Sequence, residues 1–138
     1  MEKLKKINSR IEFTDLPELT PYELYGLYRL AQYCEPYTNR VILLCDWNVA
    51  VGNTILRREL RTVGIKYEDV KDIVGVSART ASNLMKALKE KNIIRRAGKN
   101  FYLNPRYVRA LGTLVSIETA AIFEEDAEID DADSSEEE

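Results

Sequence analysis

The sequence predicts a mainly α-helical fold that carries one small β-hairpin. Three observations predict it. There is a strong helix start at Thr20, there are two amphipathic helices joined by a glycine-containing turn between residues 67 and 91, and two β-prone runs follow at once. The chain has 138 residues, so we expect one domain with at most an appendage and exclude a multidomain enzyme.

The first predicted elements are a short strand and a helix. Polar and apolar residues alternate over Arg10–Phe13, which is typical of a strand. Thr20 can cap a helix, Pro21 suits the first turn, and Glu23 completes a capping box. We expect this helix to reach about Cys34 and to bury one stripe, which consists of Leu24, Leu27, Tyr28 and Ala31.

The next segment is predicted to hold a strand, turns and a helix. Val41–Cys45 is a continuous apolar run that we interpret as a strand, although a buried helical turn has the same pattern. Asp46–Asn48 and Gly52–Asn53 are typical of turns. Apolar residues spaced from Ile55 to Val63 favour a helix that ends at Gly64.

Residues 67–91 have the pattern of a helix-turn-helix. Tyr67–Val74 is a short amphipathic segment that Gly75 ends, and Ser77 is placed to cap a second helix over Ala78–Lys91. Two helices separated by a three-residue turn that contains glycine cross steeply. The inward face of the second helix is predicted to consist of Ala81, Leu84, Met85 and Leu88.

A hairpin follows the second helix without a long connection. Asn92–Arg96 and Phe101–Pro105 are β-prone and flank a turn that contains Gly98. A helix-turn-helix followed by a hairpin is a winged helix. We therefore expect a winged helix-turn-helix domain over 1–122, with its core at about 67–105 and with additional N- and C-terminal helices.

The charges are segregated along the chain. Residues 123–138 hold ten acids and no base, whereas residues 1–122 hold 20 bases and 13 acids. Within the latter, residues 57–109 hold 14 bases and five acids, a charge of +9. A basic module attracts polyanions, and an acidic block with few apolar residues does not collapse. We expect 123–138 to be a disordered acidic tail, which either competes with DNA, binds a protein partner or keeps the protein soluble.

Residue types on the second helix and the hairpin indicate contact with duplex DNA. Arginine and asparagine read bases by bidentate hydrogen bonds, and cations beside the groove bind phosphates. The alternative readings are a solvated helix face and a charged edge strand. The candidate DNA-binding residues are Ser77, Arg79, Thr80, Ser82, Asn83, Lys86, Arg95, Arg96 and Lys99.

The segment Val76–Tyr107 resembles the winged-helix core of RepL-type plasmid replication proteins and related phage proteins. The similarity lies in the serine-led helix, the Lys91-Asn92 junction and the aromatic-x-x-Asn-Pro end at Phe101–Pro105. It extends over roughly residues 16–110 and includes no catalytic motif. The resemblance implies a DNA-binding protein of a plasmid or phage.

Catalysis and cofactors are not expected. The chain has no histidine, and its two cysteines, Cys34 and Cys45, lack metal-ligand spacing and are expected to be buried thiols. No phosphate-binding glycine motif occurs. No apolar run is long enough to span a membrane, and no signal peptide is recognisable, so we expect a cytoplasmic protein.

Two questions stay open at this level. The apolar segment Tyr107–Phe123, with a helix-like stripe at Leu111, Leu114, Val115 and Ile122, is either a core helix or half of a homodimer interface. The function is either sequence-specific binding to double-stranded DNA, in replication initiation or transcriptional regulation, or that of a protein-interaction adaptor whose acidic tail binds a basic partner.

Overall fold

The computed structural model describes residues 6–8 and 10–124, which form a mixed α/β fold. Of the described residues, 34% are helical and 32% lie in strands, so the prediction of a mainly α fold is wrong. The helices are α1 (Pro21–Ala31), α2 (Tyr67–Val74), α3 (Ala78–Glu90) and α4 (Ile117–Glu124). The strands are β1 (Ile11–Phe13), β2 (Ile42–Val51), β3 (Thr54–Gly64), β4 (Ile94–Ala97), β5 (Asn100–Leu103) and β6 (Val108–Ala110).

The strands of the described residues form three antiparallel two-stranded sheets, β1–β6, β2–β3 and β4–β5. The largest sheet is a long hairpin over residues 42–64, which we call the arm. Its strands pair from Ile42 opposite Gly64 to Val51 opposite Thr54. Gly52 begins the two-residue turn with a φ of 59°, a conformation that glycine adopts without strain and that this hairpin turn requires.

The arm is the reason why the predicted fold class is wrong. Asp46–Asn48, predicted as a turn, continues β2, and the predicted helix over 55–63 is strand β3. The apolar residues from Ile55 to Val63 have helical spacing, but the segment also contains β-branched residues that suit a strand. Pairing with β2 decides between the two, and this pairing extends from residues three apart at the turn to residues 22 apart at Ile42 and Gly64. The predicted strand at Val41–Cys45 and the Gly52–Asn53 turn are both present.

Helices α2 and α3 lie where the sequence predicts them. Helix α2 spans the predicted residues, and Gly75 ends it in the left-handed conformation with a φ of 82°. Ser77 caps α3, whose last residue is Glu90 rather than Lys91. The four residues predicted to face inward from α3 are all buried.

The predicted hairpin after α3 is formed by β4 and β5, and residues 39–41 pair with β5. Val41 donates its backbone N–H to Phe101 at 2.9 Å, and Leu103 donates to the Asn39 carbonyl at 3.0 Å. The chain therefore passes from α1 to β5 before it enters the arm. Where β3 returns to this same end of the arm, Gly64 lies against Asn100, since a Cβ at Gly64 would be 2.1 Å from Asn100 Oδ1.

Helix α1 begins as predicted and buries a different face. Thr20 and Glu23 form the capping box, but the helix ends at Ala31 rather than at Cys34. Leu24 and Tyr28 are each 42% exposed, and the prediction that both are buried is wrong. The face that packs against α2 and α3 instead consists of Gly26, Leu27, Leu30 and Ala31.

The C-terminal part of the described chain is less helical than its apolar pattern predicts. Leu111 and Leu114 are 58% and 80% exposed and precede α4. Phe123 and Glu124, assigned to the tail by the sequence, are the last residues of α4, and Phe123 is buried. The remainder of the predicted acidic tail, 125–138, lies outside the described residues.

One apolar core holds α1, α2, α3 and the β4–β5 hairpin together. Its largest fully buried side chains include Tyr33, Leu27, Leu84, Met85 and Leu103. None of the described helices combines the length and the apolar character that a bilayer crossing needs.

Candidate nucleic-acid interface

Helix α3 presents a polar face away from the core. Because its apolar residues are buried on one side, residues three and four apart on the other side point to solvent. Four of the candidate residues are exposed there, namely Arg79, Ser82, Asn83 and Lys86. Neither Arg79 nor Lys86 forms an ion pair within the described part of the chain, so both charges are available to a ligand.

The two hydroxyl residues at the start of α3 have a structural role. Ser77 Oγ accepts a hydrogen bond from the Thr80 backbone N–H at 3.2 Å and donates to Thr80 Oγ1 at 2.9 Å. Thr80 is half-buried, whereas Ser77 is exposed. Ser77 and Thr80 therefore hold the helix start in place.

Arg95 is separated from the other candidate residues. It pairs with Tyr102 in the β4–β5 ladder, and its guanidinium donates to Asn92 Oδ1 at 2.7 Å and to the carbonyl of Ile122. The same group lies 5.4 Å from the centre of the Phe123 ring. The sequence predicts a phosphate contact for Arg95, but the structure directs it to α4, where it fastens that helix to the hairpin.

Arg96 lies on the opposite face of the hairpin, towards α2 and α3. It pairs with Phe101 in the ladder, and its guanidinium is 6.0 Å from the Phe101 ring centre. Lys89 reaches the same Phe101 ring from α3, with its ammonium 5.8 Å from the ring centre. The ammonium also donates to the Tyr67 hydroxyl and lies 5.0 Å from the Tyr67 ring centre. These contacts join the C-terminal end of α3 to the hairpin, so Arg96 and the polar face of α3 belong to one surface.

Lys99 stands in the exposed turn of the hairpin and has no ion pair among the described residues. Several other bases of the +9 region are neutralised. Lys91 contacts Glu23 at 2.7 Å, and that hydrogen bond is the main cause that lowers the pKa of Glu23. Arg109 pairs with Glu12. Exposed cations of this region that have no ion pair among the described residues are Arg79, Lys86 and Lys99 and also Arg58, Lys66, Lys71 and Arg106.

The arm contributes cations that the sequence assigns to a helix. Arg57 and Arg61 both bond to Glu59, whose pKa they lower, and Arg61 stacks 4.5 Å from the centre of the Trp47 ring. The guanidinium groups of Arg57 and Arg61 therefore contact other residues of the arm. Sequence reasoning also missed Lys89, although its position one turn beyond Lys86 on α3 is a usable signal.

The carboxyl and thiol groups of the described region bear on metal binding and on thiol chemistry. No three Cys, Asp or Glu side chains gather there as ligands for a metal ion. Burial raises the pKa of the Cys34 thiol, which keeps it protonated and unreactive. Cys45, predicted to be buried, is half-buried in β2.

Comparison with protein-family models, with curated proteins and with solved structures found no match to this chain.

Proposed function

We propose that this protein binds double-stranded DNA in a sequence-specific manner through the polar face of α3 and the turn of the β4–β5 hairpin. The observation that carries the proposal is the exposed set Arg79, Ser82, Asn83 and Lys86 on one face of a capped helix that follows a helix and a tight turn. Asparagine and arginine pair with base edges, and this arrangement suits insertion into a major groove.

The hairpin would contribute binding affinity rather than recognition of a particular base sequence. Arg96 lies over the Phe101 ring that Lys89 of α3 also contacts, and Lys99 is exposed in the turn of the same hairpin. Phosphate contacts supply most of the affinity in such complexes. The resemblance to RepL-type proteins supports a role in replication initiation or in transcriptional regulation on a plasmid or phage, in the cytoplasm of a bacterial host.

The decisive experiment starts from the full chain and a pool of random duplexes. Bound duplexes are enriched over several rounds, and the dissociation constant of the enriched duplex is compared with that of a scrambled one. We expect the variant Arg79→Ala/Asn83→Ala to lose this discrimination, because each bidentate base contact is worth about 1–3 kcal/mol. Circular dichroism should show an unchanged fold, since both side chains are exposed.

Arg10→Ala is the matched control, because it removes one exposed cation from the N-terminal segment and should leave the discrimination intact. Equal losses of affinity for enriched and scrambled DNA in the α3 variant would show that α3 is not the reader. Failure to enrich any duplex would contradict DNA binding itself and favour the adaptor function.

The cations of the hairpin turn and of α3 give a separate prediction. Each of Lys99→Ala and Lys86→Ala should weaken binding to all duplexes and lower the slope of log K against log salt by about 0.9, the value for one phosphate contact. Arg95→Ala should leave this slope unchanged and lower the melting temperature, because Arg95 contacts α4. A slope that falls for Arg95→Ala and not for Lys99→Ala would reverse the assignment.

A further inference from the structure

The arm extends the sheet of the β4–β5 hairpin beyond the turn of that hairpin. Residues 39–41 pair with β5 in the antiparallel direction. The chain therefore runs towards Asn100, the first residue of β5, when it enters β2. Gly64 at the end of β3 lies against Asn100, and the Lys99 carbonyl is 3.6 Å from the position of a Cβ at Gly64. The base of the arm is thus beside the turn that holds Lys99.

One face of the arm lies on the same side of the sheet as α2 and α3. Val41 belongs to the apolar core that includes these helices, and Leu43 packs against that core. Ile42 between them is buried but is not part of this core, so it points to the other side. Because alternate residues of a strand share a face, Trp47 and Val49 lie on the side of Val41 and Leu43. We call this side of the arm the helix-side face.

The helix-side face carries two arginines of β3. Cross-strand partners in an antiparallel pair share a face, so the partners of residues 45, 47 and 49 lie on this one. These partners are Arg61, Glu59 and Arg57 respectively. Arg58 precedes Glu59 and pairs with residue 48, so it lies on the opposite face.

Glu59 and Trp47 hold the two guanidinium groups in place. Glu59 accepts hydrogen bonds from Arg57 Nε at 2.9 Å and from Arg61 Nη2 at 3.1 Å, and the Arg61 guanidinium lies 4.5 Å from the centre of the Trp47 ring. The Nη1 and Nη2 groups of Arg57 bond to no described residue. The side chains of Arg57 and Arg61 are 65% and 50% exposed. Two guanidinium groups share one carboxylate, so this face keeps a positive charge that can bind a phosphate.

The charge at the base of the arm favours a polyanion as the partner. Lys66 follows the arm directly, and Lys99 stands beside it in the hairpin turn. Both are exposed, and neither has an ion pair among the described residues. Residues 42–66 together with Lys99 hold five bases and two acids, a charge of +3. Such a surface attracts the DNA backbone.

We propose that the helix-side face of the arm is a second DNA-contacting surface, on which Arg57 and Arg61 bind phosphates of the duplex that α3 contacts. This inference rests on the proposed function and extends its site along the duplex. A two-stranded β-ribbon fits the major groove of B-DNA. The ten residues of β2 span about 33 Å at roughly 3.3 Å per residue. One helical turn of DNA is about 34 Å, so the arm is long enough to reach about one turn further along the duplex.

Two neighbouring arginines provide a matched pair of variants. Arg57→Ala and Arg58→Ala remove the same charge from adjacent residues that lie on opposite faces of the arm. Binding of the full chain to a random-sequence duplex about four helical turns long is measured over a range of salt by the anisotropy of a label on the DNA. We expect Arg57→Ala to lower the slope of log K against log salt by about 0.9, the value for one phosphate contact. Arg58→Ala should leave the slope unchanged.

The single tryptophan of the chain, Trp47, reports on the same contact. It lies on the helix-side face beside Arg61, so a bound duplex would change the surroundings of its indole. We expect its emission to change when the full chain is saturated with this duplex. The change should be smaller in Arg57→Ala/Arg61→Ala, in which binding through α3 still gives an anisotropy signal. Circular dichroism checks that each variant keeps its fold.

The outcomes separate the arm contact from the function of α3. Duplex binding with an unchanged slope in Arg57→Ala, or with unchanged Trp47 emission, would overturn the arm contact and leave binding through α3 in place. A slope that falls for Arg58→Ala and not for Arg57→Ala would contradict the face assigned here. A lower slope in Arg57→Ala, with full discrimination in Arg79→Ala/Asn83→Ala, would support the arm contact and overturn the role of α3. Failure to bind any duplex at low salt would overturn both and favour a protein partner for the arm.

Discussion

Replacing Asn39 by alanine is expected to lower the free energy of unfolding by about 3–5 kcal/mol. Asn39 is fully buried, and its Nδ2 donates to the carbonyls of Leu103 at 2.9 Å and Val108 at 2.7 Å. Its φ of 58° is a left-handed conformation that asparagine tolerates better than alanine. Alanine would leave two buried carbonyls without this donor and strain the backbone. Urea denaturation followed by circular dichroism measures the loss.

Two further variants separate these causes. Asn39→Gly removes the amide but accepts the left-handed backbone, so it should be less destabilising than Asn39→Ala by about 1 kcal/mol. Asn39→Asp keeps the shape and replaces the donor with an acceptor that faces two carbonyl oxygens. It should be at least as destabilising as alanine at neutral pH. If Asn39→Asp kept wild-type stability, the amide hydrogen bonds would not be what holds these segments together.

The contact between Gly26 and Leu84 supports the second large prediction. A Cβ at Gly26 would lie 2.4 Å from Leu84 Cδ2, and Leu84 is buried in the core, so α1 and α3 are packed too closely for a methyl group. Gly26→Ala should destabilise the protein by about 1–3 kcal/mol. Leu84→Ala alone should cost about 2–5 kcal/mol through the cavity it leaves. Chemical denaturation of both variants provides these values.

The double variant Gly26→Ala/Leu84→Ala makes the test specific to the contact between these two residues. With Leu84 truncated, the methyl group of Gly26→Ala has room, and alanine is the better helix former by about 1 kcal/mol. The second substitution should therefore be neutral or stabilising in the Leu84→Ala background. Simple addition of the two single effects would show that the close approach of the helices is not the source of the cost.

The elements that the sequence predicted well depend on interactions between residues close in the chain. The Thr20–Glu23 capping box, the Gly75 helix end and the Ser77 cap each join groups within four residues of one another. The hairpin after α3 is likewise closed by a two-residue turn. Such signals act in the same way whatever surrounds them, and for this reason the bounds of α2 are as predicted.

One part of the candidate site, the polar face of α3, was predictable from the sequence, and another part was not. The exposed residues of α3 follow from its helical period, because the apolar face specifies the polar one. The direction of Arg95 does not follow from any local pattern. Its partners include the carbonyl of Ile122, 27 residues away, and only the docking of α4 onto β4 brings that carbonyl within reach. The contribution of Lys89 likewise requires Tyr67 and Phe101 to lie beside it.

The sequence by itself determined the helix caps, the turns, the α2–α3 pair and the polar face of α3, because hydrogen bonds within a few residues and the helical period suffice for them. Only the tertiary structure decided that 54–64 is a strand, which face α1 buries, and where Arg95 points. In β3 the spacing of the apolar residues suits a helix and the β-branched residues suit a strand, and pairing with β2 selects the strand. In α1 two stripes that share Leu27 and Ala31 are possible, and the close approach of Gly26 to Leu84 selects one of them.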